Sequence, residues 1–381
     1  MSQPHQILQA DSVKKMRQIF PDAKYSPKAE LALQKVLQQA PLRLTGHLQK
    51  YLHKSPALQK QFLPDARENS PQGKKKTWVG FLENNIKGLE RMYLDRCIIL
   101  PYQQCPAYCR FCFRKFYSKT GPGSVLTRSE IDRVIDYIKN DQRLHSVLIT
   151  GGDPLMKPEL LEYLLKKLRE INHVGTIRIG SRSPMFAPEL ITPELLRMLQ
   201  KYHQLAQGRP IEIATHFNHP DELTPESQKA LASLATASFR LYNQTVLLKG
   251  INDDFNVLHR LFSELNRRGV EIYYLFHCEP VRGIAHFRTT IEKGLEIKKQ
   301  LRELSSGRIN PRYMISTQIG KVEIGVDGFI ESKQGQELWI KTPYSLATMR
   351  QVKPDLQLPK KICRVGKDGQ ISIIYREGSN S

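Results

Sequence analysis

Cys105, Cys109 and Cys112 stand in the pattern Cys-x-x-x-Cys-x-x-Cys, while Cys97, Cys278 and Cys363 are scattered. In a reducing compartment, clustered thiols more often bind metal than pair with each other. Three thiolates on one tight loop can hold three corners of an iron–sulfur cubane, leaving one iron without a protein ligand. An open iron can chelate a small molecule, which chemistry requires of such a centre. A structural zinc site would want a fourth Cys or His at short spacing. Here Cys112 is followed by Phe113, Arg114, Lys115 and Phe116. A [4Fe–4S] cluster is the favoured reading and zinc the alternative. Arg110, Arg114 and Lys115 suit a cluster that receives an electron and holds an anionic ligand.

The elements around these thiols alternate. Cys97–Leu100 is apolar and short enough for a strand leading into the cysteine loop. Further strands are expected at Val147–Thr150, Thr176–Ile179, Ile211–Thr215, within Phe239–Leu248, and at Val270–Phe276. Helical stretches lie between and after them: Thr127–Asn140, Pro158–Arg169, Pro193–Tyr202, Pro225–Leu234, Phe255–Arg268 and Thr290–Leu304. Thr127 with Glu130 reads as a capping box, and Thr192 as a cap. Strict β-α alternation implies a parallel sheet with right-handed crossovers. About six units can form an open barrel or a doubly wound sheet. Polar groups follow several strands independently: Gly151-Gly152-Asp153, Ser181-Arg182, His216 to Asn218, Gln244 and Glu279. That distribution favours an α/β partial (β/α)6 barrel with its site at the C-terminal strand ends.

Residues 1–90 read as a helical extension, with Leu31, Leu33, Val36, Leu37 and Leu42 as its apolar stripe. The core spans 91–305. Residues 306–381 read as a β-rich tail with short antiparallel strands at Tyr313–Ser316, Lys321–Ile324 and Phe329–Glu331, a turn at Asp327-Gly328, and a strand at Ile371–Tyr375. At 40% hydrophobic residues the chain can build a core, which excludes a largely disordered chain. No apolar run reaches the ~18 residues of a membrane span, and Met1–Gln18 shows no signal-peptide pattern. A cytoplasmic protein without a membrane partner is expected. The net charge of +21 reads as a solvated basic surface or as the footprint of an anionic macromolecular partner such as RNA. Lys74-Lys75-Lys76 is one of its modest local runs.

The cysteine motif after the first strand of a βα barrel resembles the radical S-adenosylmethionine (SAM) superfamily. Longer strings resemble the lysine 2,3-aminomutase family. They are Cys109-Arg110-Phe111-Cys112-Phe113-Arg114, Gly151-Gly152-Asp153-Pro154-Leu155, Arg178-Ile179-Gly180-Ser181-Arg182-Ser183-Pro184, His216-Phe217-Asn218-His219-Pro220, Val246 to Asp253, and His286-Phe287-Arg288-Thr289. The resemblance covers roughly residues 90–330, in order. It implies that the open iron binds the amino and carboxylate groups of SAM. One electron then splits SAM into methionine and a 5′-deoxyadenosyl radical, which takes hydrogen from an unactivated carbon. It implies a small amino-acid-like substrate and a flavodoxin- or ferredoxin-type electron donor. Gly151 and Gly152 match positions near the methionine amino group; Ser181, His216 and Gln244 match positions facing SAM. Asp153 either contacts SAM or caps the helix starting near Pro158. Arg114 matches an arginine that binds the substrate carboxylate. Glu279 falls where the lysine enzymes carry an aspartate for the distal ammonium.

The same resemblance implies pyridoxal phosphate (PLP), but here the sequence departs from the family. The family's glycine-run-then-lysine loop is missing: Ser306 to Pro311 runs straight into Tyr313-Met314-Ile315-Ser316. Tyr93 and Arg96 match the family's phosphate-side residues, while Met92 replaces an arginine, with Arg91 beside it. Lys321 and Lys367, each after a glycine, are substitute anchors or simply turn residues. Without PLP the radical would be returned, passed on or lost in an elimination. Epimerisation would need a second hydrogen donor, for which Cys278 and Cys363 are candidates beside the plain reading as buried thiols.

Overall fold

The computed structural model describes residues 7–21, 25–73, 86–116, 125–325 and 330–378. The lysine run at 74–76 and the turn at 327–328 lie outside the described residues.

The N-terminal part is helical with one addition. β1 (Ile7–Ala10) pairs antiparallel with β2 (Leu42–Thr45). Between them lie α1 (Val13–Ile19) and α2 (Pro27–Gln39), and after them α3 (Gly46–Leu52) and α4 (Pro56–Phe62). Ser12, Ser26, Thr45 and Ser55 each cap a helix by accepting a backbone N–H, as short hydroxyl side chains do best. Leu42 was expected on a helix and sits in β2 instead. Pro41 has no N–H to continue α2, and it drives Ala40 to an extended conformation.

The core sheet has nine strands. In chain order its elements are β3 (Leu89–Arg91), β4 (Arg96–Tyr102), α5 (Arg128–Lys139), β5 (Ser146–Gly151), α6 (Pro158–Arg169), β6 (Thr176–Gly180), α7 (Ser183–Phe186), α8 (Pro193–Lys201), β7 (Ile211–Thr215), α9 (Pro225–Thr236), β8 (Arg240–Leu247), α10 (Phe255–Arg267), β9 (Val270–His277), α11 (Ile291–Leu304), β10 (Arg312–Thr317) and β11 (Gly320–Glu323). The strands lie in the order 11-10-9-8-7-6-5-4-3. From β4 to β10 all neighbours are parallel; β3 and β11 close the two edges antiparallel. The sheet curls into a partial barrel. Val147, Ile149, Ile177, Ile179, Ile211 and Ile213 are fully buried in one cluster with Leu161, Leu164, Leu165 and Leu168 of α6. Alternate strand residues point to opposite faces, so Thr150, Arg178 and Glu212 look to the concave side.

The core runs further than expected. Tyr313–Ser316 pairs antiparallel with the strand after it, as expected, but β10 also continues the core sheet parallel to β9, with Met314 opposite Phe276. α11 is therefore a seventh-strand crossover, not the last element of the barrel. A side chain at Gly294 of α11 would collide with the Tyr313 ring, which explains a glycine inside that helix. The tail proper is β12 (Ile330–Gln334), β13 (Glu337–Ser345), α12 (Leu346–Val352), β14 (Cys363–Val365) and β15 (Gln370–Arg376), an antiparallel sheet ordered 12-13-15-14. Its Ile371, Ile373 and Cys363 pack with Met92 and Ile319, joining the tail to the β3–β4 and β10–β11 turns. Among the described residues no helix is long and apolar enough to cross a membrane.

Candidate active site

The cysteine loop follows β4 and is gripped from the N-terminal side. The Tyr108 N–H donates to the Arg43 carbonyl at 3.0 Å and the Arg110 N–H to the Gln61 carbonyl at 2.8 Å. The Arg110 guanidinium forks onto Glu68 at 2.9 and 2.6 Å and also reaches the Ala40 and Pro41 carbonyls. Lys115 Nζ donates to the same carboxylate at 2.8 Å. Arg110 and Glu68 are buried side by side. Burial opposes the Glu68 charge, but Arg110 and Lys115 outweigh it and hold the carboxyl below its ordinary value. These two cations thus staple the loop to the N-terminal extension; they are not free to hold an anionic ligand, as their position beside the thiols had suggested.

All three thiols are pushed up by burial, Cys112 to about 11. They are neutral until a metal takes the proton's place. Cys105 feels both other sulfurs, and Cys112 feels Cys109. Three thiols on one loop that feel one another supply the soft donors an iron–sulfur cluster takes from its protein. Arg182 Nη1 donates to Cys109 Sγ at 2.7 Å.

The rim residues have protein-internal work as well. Gly151 has φ +119, and a Cβ there would lie 2.9 Å from the Tyr102 carbonyl. At Gly152 a Cβ would run into the Gln104 backbone. The Gly152 and Asp153 N–H groups donate to the Tyr102 and Gln104 carbonyls, so this pair of glycines lets the β5 end close on the chain leading to Cys105. The Asp153 carboxylate accepts from Leu155 N–H, Ser181 Oγ, Arg182 N–H and Ser183 N–H, all within 3.1 Å. It caps the short turn at Pro154–Met156 rather than α6, whose cap residue Lys157 makes no side-chain cap bond. Asp153 and Ser181 therefore pin the β5 and β6 ends to each other. His216 Nε2 lies 3.0 Å from Asn218 Oδ1, which also accepts the Val246 N–H. The proton is thus on Nε2, and Nδ1 is left as an acceptor. Burial and the Arg182 charge hold the ring neutral. The Gln244 amide makes no side-chain hydrogen bond among the described residues.

Deeper in the barrel the expected residues gather unevenly. Arg114 forks onto Glu90 at 2.8 Å twice, so its charge is already matched. It also feels Glu279. Lys321, on β11, lies over the Tyr274 and Phe276 rings at 5.2 and 4.7 Å. Its backbone N–H donates to Tyr93 Oη, and Arg96 stacks on Tyr93 at 4.2 Å. Burial, then Arg96 and Arg178, draw the Lys321 amine down to about 7, with Glu279 opposing. Tyr93, Arg96 and Lys321 thus meet, with Glu279 within electrostatic reach. Arg91 does not join them: it is bound to Asp141 at 2.6 Å and to Tyr137. Met92 is buried against the tail. Lys367 is exposed between β14 and β15, outside the barrel. Cys278 packs with Phe111, Leu248, Val281 and Phe287 and is raised by burial to about 12; Cys363 is buried in the tail cluster.

Residues 99–262 match the family model of the radical SAM superfamily. A candidate L-lysine 2,3-aminomutase of Aquifex aeolicus is 43% identical over 263 residues, 68% of this chain and 69% of the relative. This chain belongs to the lysine 2,3-aminomutase family. It is a radical SAM enzyme of the aminomutase class. The L-lysine 2,3-aminomutase of Acetoanaerobium sticklandii is 44% identical over 62% of this chain and 56% of its own length. The glutamate 2,3-aminomutase of Clostridioides difficile is 41% identical over 61% of this chain and 54% of its own. The chain spans little more than half of these last two.

Within this radical SAM frame, the sequence reading missed the partners that arrive from far along the chain. Gln61, Glu68, Glu90 and Glu222 carry no motif of their own. Arg182 stands within the Arg178 to Pro184 segment, but nothing local shows that it reaches a cysteine 73 positions away.

Proposed function

We propose that this protein reductively cleaves SAM at a [4Fe–4S] cluster held by Cys105, Cys109 and Cys112 and thereby abstracts hydrogen from a small amino-acid-like substrate. The observation that carries this reading is the trio of half-buried cysteines on a loop clamped by Glu68, at the C-terminal rim of the barrel. Cluster and SAM together supply a 5′-deoxyadenosyl radical; the chain supplies position and the exclusion of water. Asp153 holds Ser181 and the start of α7 in one arrangement. Neutral His216 offers Nδ1 as an acceptor, and Gln244 offers an amide with both donors and an acceptor. Glu279 offers a carboxylate to an ammonium group. A substrate carboxylate reaching Arg114 shares that guanidinium with Glu90. The electron comes from a flavodoxin- or ferredoxin-type donor, and the thiols require a reducing cytoplasm. The test is anaerobic: reduced protein should release 5′-deoxyadenosine from SAM, and Cys105→Ala should not. Release that is unchanged in Cys105→Ala rejects the proposal.

A second reading has its own support: a PLP-dependent 2,3-amino shift with Lys321 as the relocated anchor. The amine, Tyr93 and Arg96 lie together, and neither cation makes a hydrogen bond or ion pair through its side chain among the described residues. When bound, PLP would supply a conjugated carbonyl that stabilises a radical beside nitrogen. Of the two neighbouring arginines, Arg96 lies over the Tyr93 ring while Arg91 is committed to Asp141. Added PLP should give an imine absorbance that Lys321→Ala removes and Lys367→Ala does not; no band at saturating PLP rejects this reading.

A further inference from the structure

Arg182 follows β6, with its side chain almost wholly buried. Its guanidinium lies against the rings of Phe62 and Phe111 at 5.1 and 5.3 Å. Each nitrogen has a fixed partner: Nε donates to the His216 carbonyl at 3.2 Å, Nη2 to Gln61 Oε1 at 2.8 Å and Glu222 Oε1 at 3.3 Å, and Nη1 to Cys109 Sγ at 2.7 Å. The backbone N–H is held by Asp153. Glu222 is fixed in turn, Oε1 accepting from Gln61 Nε2 at 2.6 Å and Oε2 from the Asn218 N–H at 2.9 Å. A guanidinium so constrained cannot swing away from the sulfur, and its charge acts through a poorly screening interior.

We propose that Arg182 is a positioning residue that sets the reduction potential of the cluster through Cys109, with Glu222 as the counter-charge limiting its effect. This rests on the cluster reading above. Hydrogen bonds and charges at ligating sulfurs are principal determinants of cluster potential. An added electron makes the cluster more negative, so a cation bonded to Sγ favours the reduced state. A carboxylate behind that cation opposes it. Removing Arg182 and removing Glu222 must therefore move the potential in opposite directions. A purely structural ion pair would give no such opposition, because loss of either member would loosen the same contact.

The experiment uses the full chain, anaerobically reconstituted with iron and sulfide, as wild type, Arg182→Gln, Arg182→Lys and Glu222→Gln. Each is titrated with dithionite and the reduced cluster is read by electron paramagnetic resonance. Arg182→Gln should shift to a more negative potential by about 59 mV, a tenfold change in the ratio of reduced to oxidised cluster for one electron. Arg182→Lys, which keeps charge without the fork, should fall between this variant and wild type. Glu222→Gln should shift the other way. Unchanged potential in iron-replete Arg182→Gln, or shifts of the same sign in Arg182→Gln and Glu222→Gln, overturns the inference. If Arg182→Gln retains no iron, the milder pair decides, and the absence of opposite shifts in Arg182→Lys and Glu222→Gln overturns it. Wild type that takes up no iron and sulfide overturns the cluster reading instead.

Discussion

At about 7 the Lys321 amine is half neutral near neutral pH. Below that value it is an ammonium and cannot attack a carbonyl; above it, the free amine dominates. Imine formation with added PLP should therefore rise with pH through about 7, followed by absorbance, and vanish in Lys321→Ala. The same shift is visible in stability. An ordinary lysine titrates at 10.5, so between about 7 and 10.5 the unfolded chain binds a proton that the folded chain does not. Folding at this position gains stability as pH rises across that window, and Lys321→Met should flatten the slope in denaturant titrations. Gly152 gives a different test. A methyl group at that position meets the Gln104 backbone, so Gly152→Ala should leave the circular dichroism nearly unchanged but cost the cysteine loop its geometry. The readout is iron retained after desalting, which should fall severalfold; full retention would mean that the close approach does not matter.

The element that matters most to the site is the N-terminal extension, because Glu68 answers two buried cations of the cysteine loop. Glu68→Gln leaves both without their counter-charge, and breaking a buried pair from one side costs about 3–5 kcal/mol. The midpoint in urea should fall accordingly, and Cys112 should become open to thiol reagents before the barrel unfolds. The sign with pH follows from the depressed Glu68 value: the clamp's contribution is complete above the ordinary 4.5 and is lost as pH falls through the lower folded value. Much of this architecture was legible. Pro158–Arg169 and Ile211–Thr215 are found at their expected bounds, and Thr127 with Glu130 forms the expected box, because caps and periodicity are local signals. The spacing of Cys105, Cys109 and Cys112 is a local signal of the same kind. What stayed hidden was non-local. Nothing near Ile7 says that it pairs with Thr45. A strand of the length of Tyr313–Ser316 reads alike whether its neighbour runs parallel or antiparallel. The Glu68–Arg110 and Gln61–Arg182 contacts span 42 and 121 positions, beyond any spacing rule. Asp153 was half legible: its capping habit was visible, but its hold on Ser181 needed the fold.

For the molecule as a whole, three of the cations near the site are answered internally: Arg110 by Glu68, Arg114 by Glu90, Arg182 by Glu222. The surplus of 58 Lys and Arg over 37 Asp and Glu is therefore not explained by the site. If that surplus serves an anionic macromolecule carrying the amino acid to be modified, RNA or an acidic protein should bind with an affinity that falls steeply with salt. The binding should survive replacement of all three cluster cysteines, whereas cleavage of SAM should not. A merely solvated surface gives no such binding at physiological salt. The proposed chemistry requires an open iron beside three thiolates. Its most direct measurement is the electron paramagnetic resonance spectrum of the reduced, reconstituted protein with and without SAM. Coordination of SAM to the open iron should change the spectrum of a cluster containing about four irons per chain. A full cluster whose spectrum ignores saturating SAM, or a protein that binds zinc in its place, would contradict the account.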